Sequence, residues 1–218
     1  MPNNKSISPF VTLPPVMKIF CIGRNYSEHA KELNNEIPDA PVVFMKPPTA
    51  LLKGKDFYIP DFSSDIHYEC ELVFRICKNG KHVGAEFAQK YVDAVTVGID
   101  FTARDVQSEQ KKKGLPWEIA KGFDNSAVIG EFTSLQDLEN SNDISFHMLK
   151  NQEIVQTGSS MEMINNIGQM ISYISRYFTL QQGDLLFTGT PAGVGKVNPG
   201  DKLEGFLEKE KKFEINIK

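Results

Sequence analysis

The chain has 218 residues, 40% hydrophobic and 24% charged, an ordinary globular composition with length enough for a substantial core. A formal net charge of −4 argues against a general affinity for nucleic acid, and no apolar run approaches the roughly 20 residues that span a bilayer. The start, Met1-Pro2-Asn3-Asn4-Lys5, lacks the apolar core of a signal peptide, and Cys21, Cys70 and Cys77 lack zinc-type spacing, so a reduced, cytoplasmic setting is expected.

Val16–Ile22 is an apolar run ending at Gly23 and predicts a buried strand. Asn25, with Glu28 three positions on, predicts the cap of a short helix that reaches about Leu33 and stops at Asn34-Asn35. Val42–Met45 reads as a strand. Tyr68–Cys77 reads as a longer one, with Asn79-Gly80 after it as a tight hairpin turn. Tyr91–Ile99 is a Val/Ile-rich strand followed by a polar helix over Thr102–Lys113. The basic runs Lys111–Lys113 and Lys209–Lys212 are short and read as solvated faces. Ser145–Leu149 and Glu153–Val155 flank a turn. A helix is expected over Met161–Phe178, with Ser159 and Glu162 as a capping box and Met163, Ile167, Met170, Ile171 and Ile174 as its apolar stripe. Asp184–Thr188 is a strand feeding the Gly-rich segment Gly189–Gly195, and Leu203–Leu207 with Phe213–Ile217 makes a closing hairpin. Many short strands with few helices predict an α+β, mainly β domain.

Side chains two apart on a strand share a face, so Glu69 and Glu71 project together. Such a pair suits either a water-facing edge or a cation. Asp100, where a Val/Ile strand runs out, adds a third carboxylate. Three acidic groups offering only oxygen suit a hard cation. Beyond Asp100, a helix sets Arg104 and Gln107 at i+4 and i+7, where a cation and an amide can orient a substrate carboxylate or simply face water. His29 and Glu32, at i,i+3, can form a pair in which the carboxylate fixes the imidazole tautomer, as a general base requires; an exposed polar helix face is the plainer alternative. Lys121 sits among apolar neighbours and either stabilises negative charge or snorkels. His67 reads as structural and Cys70 as core. Gly189–Gly195 lacks a Walker ending; a loop lending N–H groups and Thr190 to a carboxylate fits it better.

These pieces occur in a recognisable order. Gly23-Arg24-Asn25-Tyr26, Phe44-Met45-Lys46-Pro47, His67–Leu72, Asp100–Gln107 and Leu186–Gly195 resemble the fumarylacetoacetate hydrolase family. Asp100-Phe101-Thr102-Ala103-Arg104-Asp105-Val106-Gln107, followed by Lys111–Trp117, resembles its acylpyruvase branch. The resemblance implies a mixed β-sandwich roll with a few peripheral helices over residues 18–218, after an N-terminal extension of residues 1–17. It further implies a homodimer holding Mg²⁺ or Mn²⁺, with Ca²⁺ as a stand-in. Glu69, Glu71 and Asp100 match the metal carboxylates, His29 and Glu32 a dyad on a substrate-ordered lid, and Lys121 the active-site lysine. Arg24, Tyr26, Lys46, Arg104, Gln107 and Thr190 match substrate-contacting positions.

The implied activity is metal-dependent hydrolysis of a C–C bond in acylpyruvates of the fumarylpyruvate or acetylpyruvate type, extending to oxaloacetate decarboxylation, through a pyruvate enolate. The alternatives are an isomerase or tautomerase of 2-oxo diacids, such as 2-hydroxyhepta-2,4-diene-1,7-dioate or oxaloacetate, and an inactive metal-binding regulatory protein. The expected partner is a small 2-oxo acid, with no nucleic acid and no membrane. The larger family members carry a further aspartate near this histidine, where the present chain has Arg24-Asn25-Tyr26, so fumarylacetoacetate itself is a poor candidate.

Overall fold

The structure, a computed structural model, describes residues 15–32 and 38–218. In chain order it begins with β1 (Ile19–Gly23), α1 (Ser27–Glu32), β2 (Val42–Lys46), β3 (Asp56–Phe57), β4 (Ile66–Tyr68) and β5 (Cys70–Ile76). There follow β6 (Val92–Asp100), β7 (Thr102–Ala103), α2 (Arg104–Lys113), α3 (Glu118–Lys121), β8 (Ala127–Ile129) and β9 (Thr133–Ser134). The last third holds β10 (Ser145–Lys150), β11 (Glu153–Ser159), α4 (Ile167–Tyr177), β12 (Leu185–Phe187), β13 (Gly195–Lys196), β14 (Lys202–Leu207) and β15 (Glu210–Ile217). One sheet runs β2-β1-β12-β5-β6-β8, with β9 also on β6; a second runs β11-β10-β14-β15-β3; a third, small one runs β13-β4-β7. The result is a mixed, mainly β roll with helices at its periphery, as expected. Among the described residues no helix is long and apolar enough to cross a membrane.

The apolar runs explain the central strands. β5 and β6 are buried almost end to end, Leu72, Val73, Val95, Val97 and Ile99 fully so, as strands covered on both faces must be. Their packing is tight at Gly98, where a Cβ would stand 2.4 Å from the Val128 carbonyl oxygen and 2.8 Å from the Val73 side chain.

Strand direction then gathers the site. β1 and β12 are parallel, with Cys21 opposite Phe187, so Arg24 and Gly189 leave the sheet at the same edge. β5 is antiparallel to β12, and β6 to β5 with Cys70 opposite Ile99. The start of β5 and the end of β6 therefore fall at that edge too. Glu71 and Asp100 are neighbours because of register, not proximity in sequence.

Several expected elements differ in detail. The run Tyr68–Cys77 is two strands, interrupted at Glu69, because β4 pairs with β13 and β7 while β5 joins the large sheet. Asn79-Gly80 makes no tight hairpin. Asn79 Oδ1 accepts the Gln182 N–H at 2.8 Å and Gly80 bridges Leu180, while a 3₁₀ segment, Ala85–Tyr91, lies between the strands. The polar helix starts at Arg104, after β7. The helix expected from Met161 starts at Ile167. The Ser159–Glu162 box forms, but on the 3₁₀ turn Ser160–Glu162, and a second box, Asn166–Gln169, caps α4. Between them Met163 bridges Tyr26 and the Ile164 N–H bonds the Asn25 carbonyl, tying that stretch to β1 instead of to the helix. Among the described residues the Asn25 side chain bonds no amide of α1; its amide bonds Asn165 and the Thr188 carbonyl, and the expected stop at Asn34-Asn35 lies outside the described residues.

Candidate metal centre and active site

Glu69, at the bend between β4 and β5, Glu71, inside β5, and Asp100, at the end of β6, each offer an oxygen within 4.8 Å of the others, and all three are buried. The bend is fixed from 86 residues away: buried Gln156 on β11 accepts the Cys70 N–H at 2.8 Å and donates to Thr190 Oγ1 at 2.8 Å and the Pro191 carbonyl at 2.9 Å. One amide thus holds the backbone between the two glutamates and the start of the Gly-rich loop together. Sequence reasoning passed over Gln156, and no local pattern marks it.

The charges around the triad are unevenly shared. Lys121 Nζ stands 2.7 Å from both Glu69 Oε2 and Asp100 Oδ2, and Arg104 Nη2 reaches Glu69 Oε1 at 2.5 Å. Lys46 Nζ lies 2.7 Å from Asp100 Oδ1, although that oxygen makes no hydrogen bond. Glu71 receives only the Gly189 N–H, at 2.7 Å, with no cationic side chain against it among the described residues. Burial and the charges of Asp100 and Glu69 outweigh the pull of Lys121 and the Gly189 N–H, and push the Glu71 carboxyl well above the ordinary range. Burial also pushes Glu69 up, but Lys121, Arg104 and His29 outweigh it and hold that carboxyl well below the ordinary range. Burial opposes the charge on Lys121, yet Asp100 and Glu69 keep its amine raised. An all-oxygen set of three buried carboxylates, one of them with no cationic side chain in contact among the described residues, fits a hard divalent cation.

His29 lines the same cavity, together with Arg24, Glu69, Glu71, Asp100 and Lys121. Its Nδ1 lies 3.1 Å from Glu32 Oε2, and Glu32 in turn accepts the Gly193 N–H at 3.1 Å. The helix expected to act as a lid is thus docked here, latched to the Gly-rich loop. That loop spends its amides on protein carboxylates, Gly189 on Glu71 and Gly193 on Glu32. Gly189 has φ 92°, and a Cβ there would meet Asn25 Cβ at 2.8 Å, so only glycine fits.

Thr190, Gln107 and Arg104 face the cavity, with Gln107 accepting from Arg104 Nη1 at 2.8 Å. Tyr26 and Lys46 are not in its wall. Tyr26 is buried against Phe146, with its hydroxyl unpartnered and burial holding its pKa up. Lys46 sits behind Asp100, bonding the carbonyls of Lys121, Phe101 and Ser126. Its place is support for the carboxylate, not the cavity. Conversely Lys111, read from sequence as part of a solvated run, lines the cavity beside Trp117; only the helical spacing Arg104, Gln107, Lys111 could have marked it. His67 contacts Asp65 at 3.1 Å and Cys70 is core.

Residues 18–217 match the family described as fumarylacetoacetate (FAA) hydrolase C-terminal. The mitochondrial oxaloacetate decarboxylase of Dictyostelium discoideum is 42% identical over 189 residues, 86% of this chain and 87% of that one. The mitochondrial oxaloacetate tautomerase FAHD1 of Homo sapiens is 38% identical over 187 residues, 85% of each chain. The crystal structure of fumarylpyruvate hydrolase from Pseudomonas aeruginosa in complex with Mn²⁺ and pyruvate superposes with a TM-score of 0.88 at 33% identity, covering 93% of this chain and 90% of that one.

Proposed function

This chain is a member of the fumarylacetoacetate hydrolase family, and from that premise we propose that it is a divalent-metal-dependent enzyme moving protons on small 2-oxo dicarboxylic acids, with oxaloacetate the favoured substrate. The observation that carries this reading is the meeting of the Glu32-held His29 with Glu69, Glu71 and Asp100 in one cavity. Glu69, Glu71 and Asp100 would hold Mg²⁺ or Mn²⁺, which would supply Lewis acidity for a 2-oxo acid.

The remaining work falls to side chains. Arg104 and Gln107 from α2 and Thr190 from the Gly-rich loop orient the substrate's 1-carboxylate. With Nδ1–H given to Glu32, His29 presents Nε2 to take a proton from C3 of the keto acid and deliver it to the 2-oxo oxygen, and in the reverse direction to take the enol O–H proton and return it to C3. Lys121 Nζ keeps a positive charge beside the oxygen that gains negative charge as the proton leaves. The docked α1 limits water over the site.

A second reading is hydrolysis of an acylpyruvate, in which His29 Nε2 takes its proton from the water that attacks the distal carbonyl. The likeness to the Pseudomonas hydrolase favours it, and the higher identity of the two oxaloacetate enzymes ranks it second. The test is purified protein with Mn²⁺ or Mg²⁺, following decay of enol-oxaloacetate and release of pyruvate from oxaloacetate and from acetylpyruvate. Faster ketonisation lost with EDTA is expected. Pyruvate from acetylpyruvate with no effect on the enol would put the second reading first, and no metal-dependent turnover of any of them would overturn both.

A further inference from the structure

Lys111 stands apart from the basic run it belongs to. Lys112 and Lys113 are exposed and reach Glu109 at 2.9 and 4.0 Å. Lys111 turns inward: at i+7 from Arg104 and i+4 from Gln107 it shares their face of α2, and it lines the cavity with its amine 5.5 Å from the centre of the Trp117 ring. Among the described residues no carboxylate pairs with it. Arg24 lines the same cavity, and its Nε is buried without a hydrogen-bond partner. Arg24 also has φ 58°, a left-handed conformation unfavourable for a non-glycine residue, which starts the turn from β1 into α1.

Lys111 and Arg24 are therefore brought to one cavity with no carboxylate ion-paired to either among the described residues. Burial, then the charges of Arg104 and Arg24, push the Lys111 amine down to about 8, against the opposing pull of Glu69 and with a further push from Lys121. Arg104 is already engaged by Glu69, which leaves Lys111 and Arg24 as the lining cations that form no ion pair among the described residues. A partly buried cation pair of this kind is stabilised by a carboxylate between them.

We propose that Lys111 and Arg24 form a second anion subsite, which takes the distal carboxylate of a 2-oxo dicarboxylic acid while its 2-oxo acid head lies at the triad. The proposal rests on the reading above and deepens it: it makes Lys111 a residue that selects dicarboxylates over monocarboxylates. The Trp117 ring, facing the Lys111 amine, favours its inward position.

The test uses two stable ligands with the same head, oxamate and N-oxalylglycine, of which only the second has a distal carboxylate. Both are titrated calorimetrically into the Mn²⁺-loaded full chain. The unmodified protein should prefer N-oxalylglycine by roughly tenfold or more, the scale of one charge-assisted contact. Lys111→Met should bring the ratio of the two dissociation constants towards one, and Lys111→Arg should restore the preference, which a merely structural lysine would not require. Should Lys111→Met fail to fold, Lys111→Gln serves instead. Equal affinities in the unmodified protein, or a preference that survives loss of the amine, would overturn the subsite and leave the proposed function standing. No binding of either ligand would overturn the proposed function, and the subsite with it.

Discussion

Glu71 is the carboxylate of the triad that no cationic side chain contacts among the described residues, and its Gly189 bond can be accepted by an amide oxygen as well. Glu71→Gln should therefore keep the fold, with a melting temperature at or above that of the parent, while weakening Mn²⁺ binding at least 100-fold in calorimetry. A variant that still binds Mn²⁺ with parental affinity would remove Glu71 from the ligand set. His29 makes the complementary case. His29→Ala should lower kcat on oxaloacetate by roughly 10²–10⁴-fold, the range of a general base, and leave Mn²⁺ affinity within a few-fold. Lys111 adds a pH signature: its amine is charged below about 8, so the preference for N-oxalylglycine should hold below that pH and fade above it. In Lys111→Arg, which stays charged, the preference should persist to pH 9. Glu69 and Glu71 were visible as a pair from two-residue spacing and the His29–Glu32 contact from helical spacing. Lys111 was hidden because a triple lysine reads as solvent-facing until the helix that carries it is packed.

At the scale of elements, the bend between β4 and β5 shows what spacing alone misses. A period of two would put Glu69 and Glu71 on one face of a continuous strand. They converge instead across a break, and the amide that holds it open sits on β11. Gln156→Leu should weaken Mn²⁺ binding and raise KM together, because it frees the Cys70 N–H and Thr190 at once; a loss of stability with Mn²⁺ affinity intact would make Gln156 a packing residue only. The start of α2 is fastened by Asp105, which accepts from Ser63 Oγ at 2.6 Å and the Ser64 N–H at 3.0 Å. Burial, the largest single influence, raises its carboxyl, but those bonds together outweigh it and leave it below the usual range. A lowered folded-state value means stability present at neutral pH and lost as pH falls through it. Asp105→Asn should thus be less stable than the parent at pH 7, with the gap narrowing below about pH 4. For α4 the sequence held two capping boxes in series, and which one begins the helix was decided by the bridge from Met163 to Tyr26, a tertiary contact.

The whole molecule is legible in its class and obscure in its wiring. Alternating and continuous apolar runs identify strands, but nothing local says that β12 inserts between β1 and β5, or that β1 and β12 run parallel. That insertion delivers Arg24, Gly189, Glu71 and Asp100 to one sheet edge, which is why the site was recognised from motif order and not from any single segment. Because its ligands come from β5, β6 and the preceding bend, a cation there ties distant parts of the chain together and should stabilise the whole. At 100 times its dissociation constant, Mn²⁺ should add about 2.7 kcal/mol, a rise in melting temperature of roughly 5–10 °C for a domain of this size. Glu71→Gln should lose that increment; an equal rise in both proteins would place the stabilising ion elsewhere.

The ammonium of Lys121, 2.7 Å from two of the three carboxylates, makes the site behave as an ion exchanger. A divalent ion entering between Glu69 and Asp100 must displace a monovalent one already neutralising them, so the measured affinity is a difference between two cations and not the full attraction of three carboxylates. Lys121→Met removes the competitor and leaves the negative charge. It should tighten Mn²⁺ binding while abolishing turnover, so that a residue needed for the chemistry proves to be one that loosens the metal's hold.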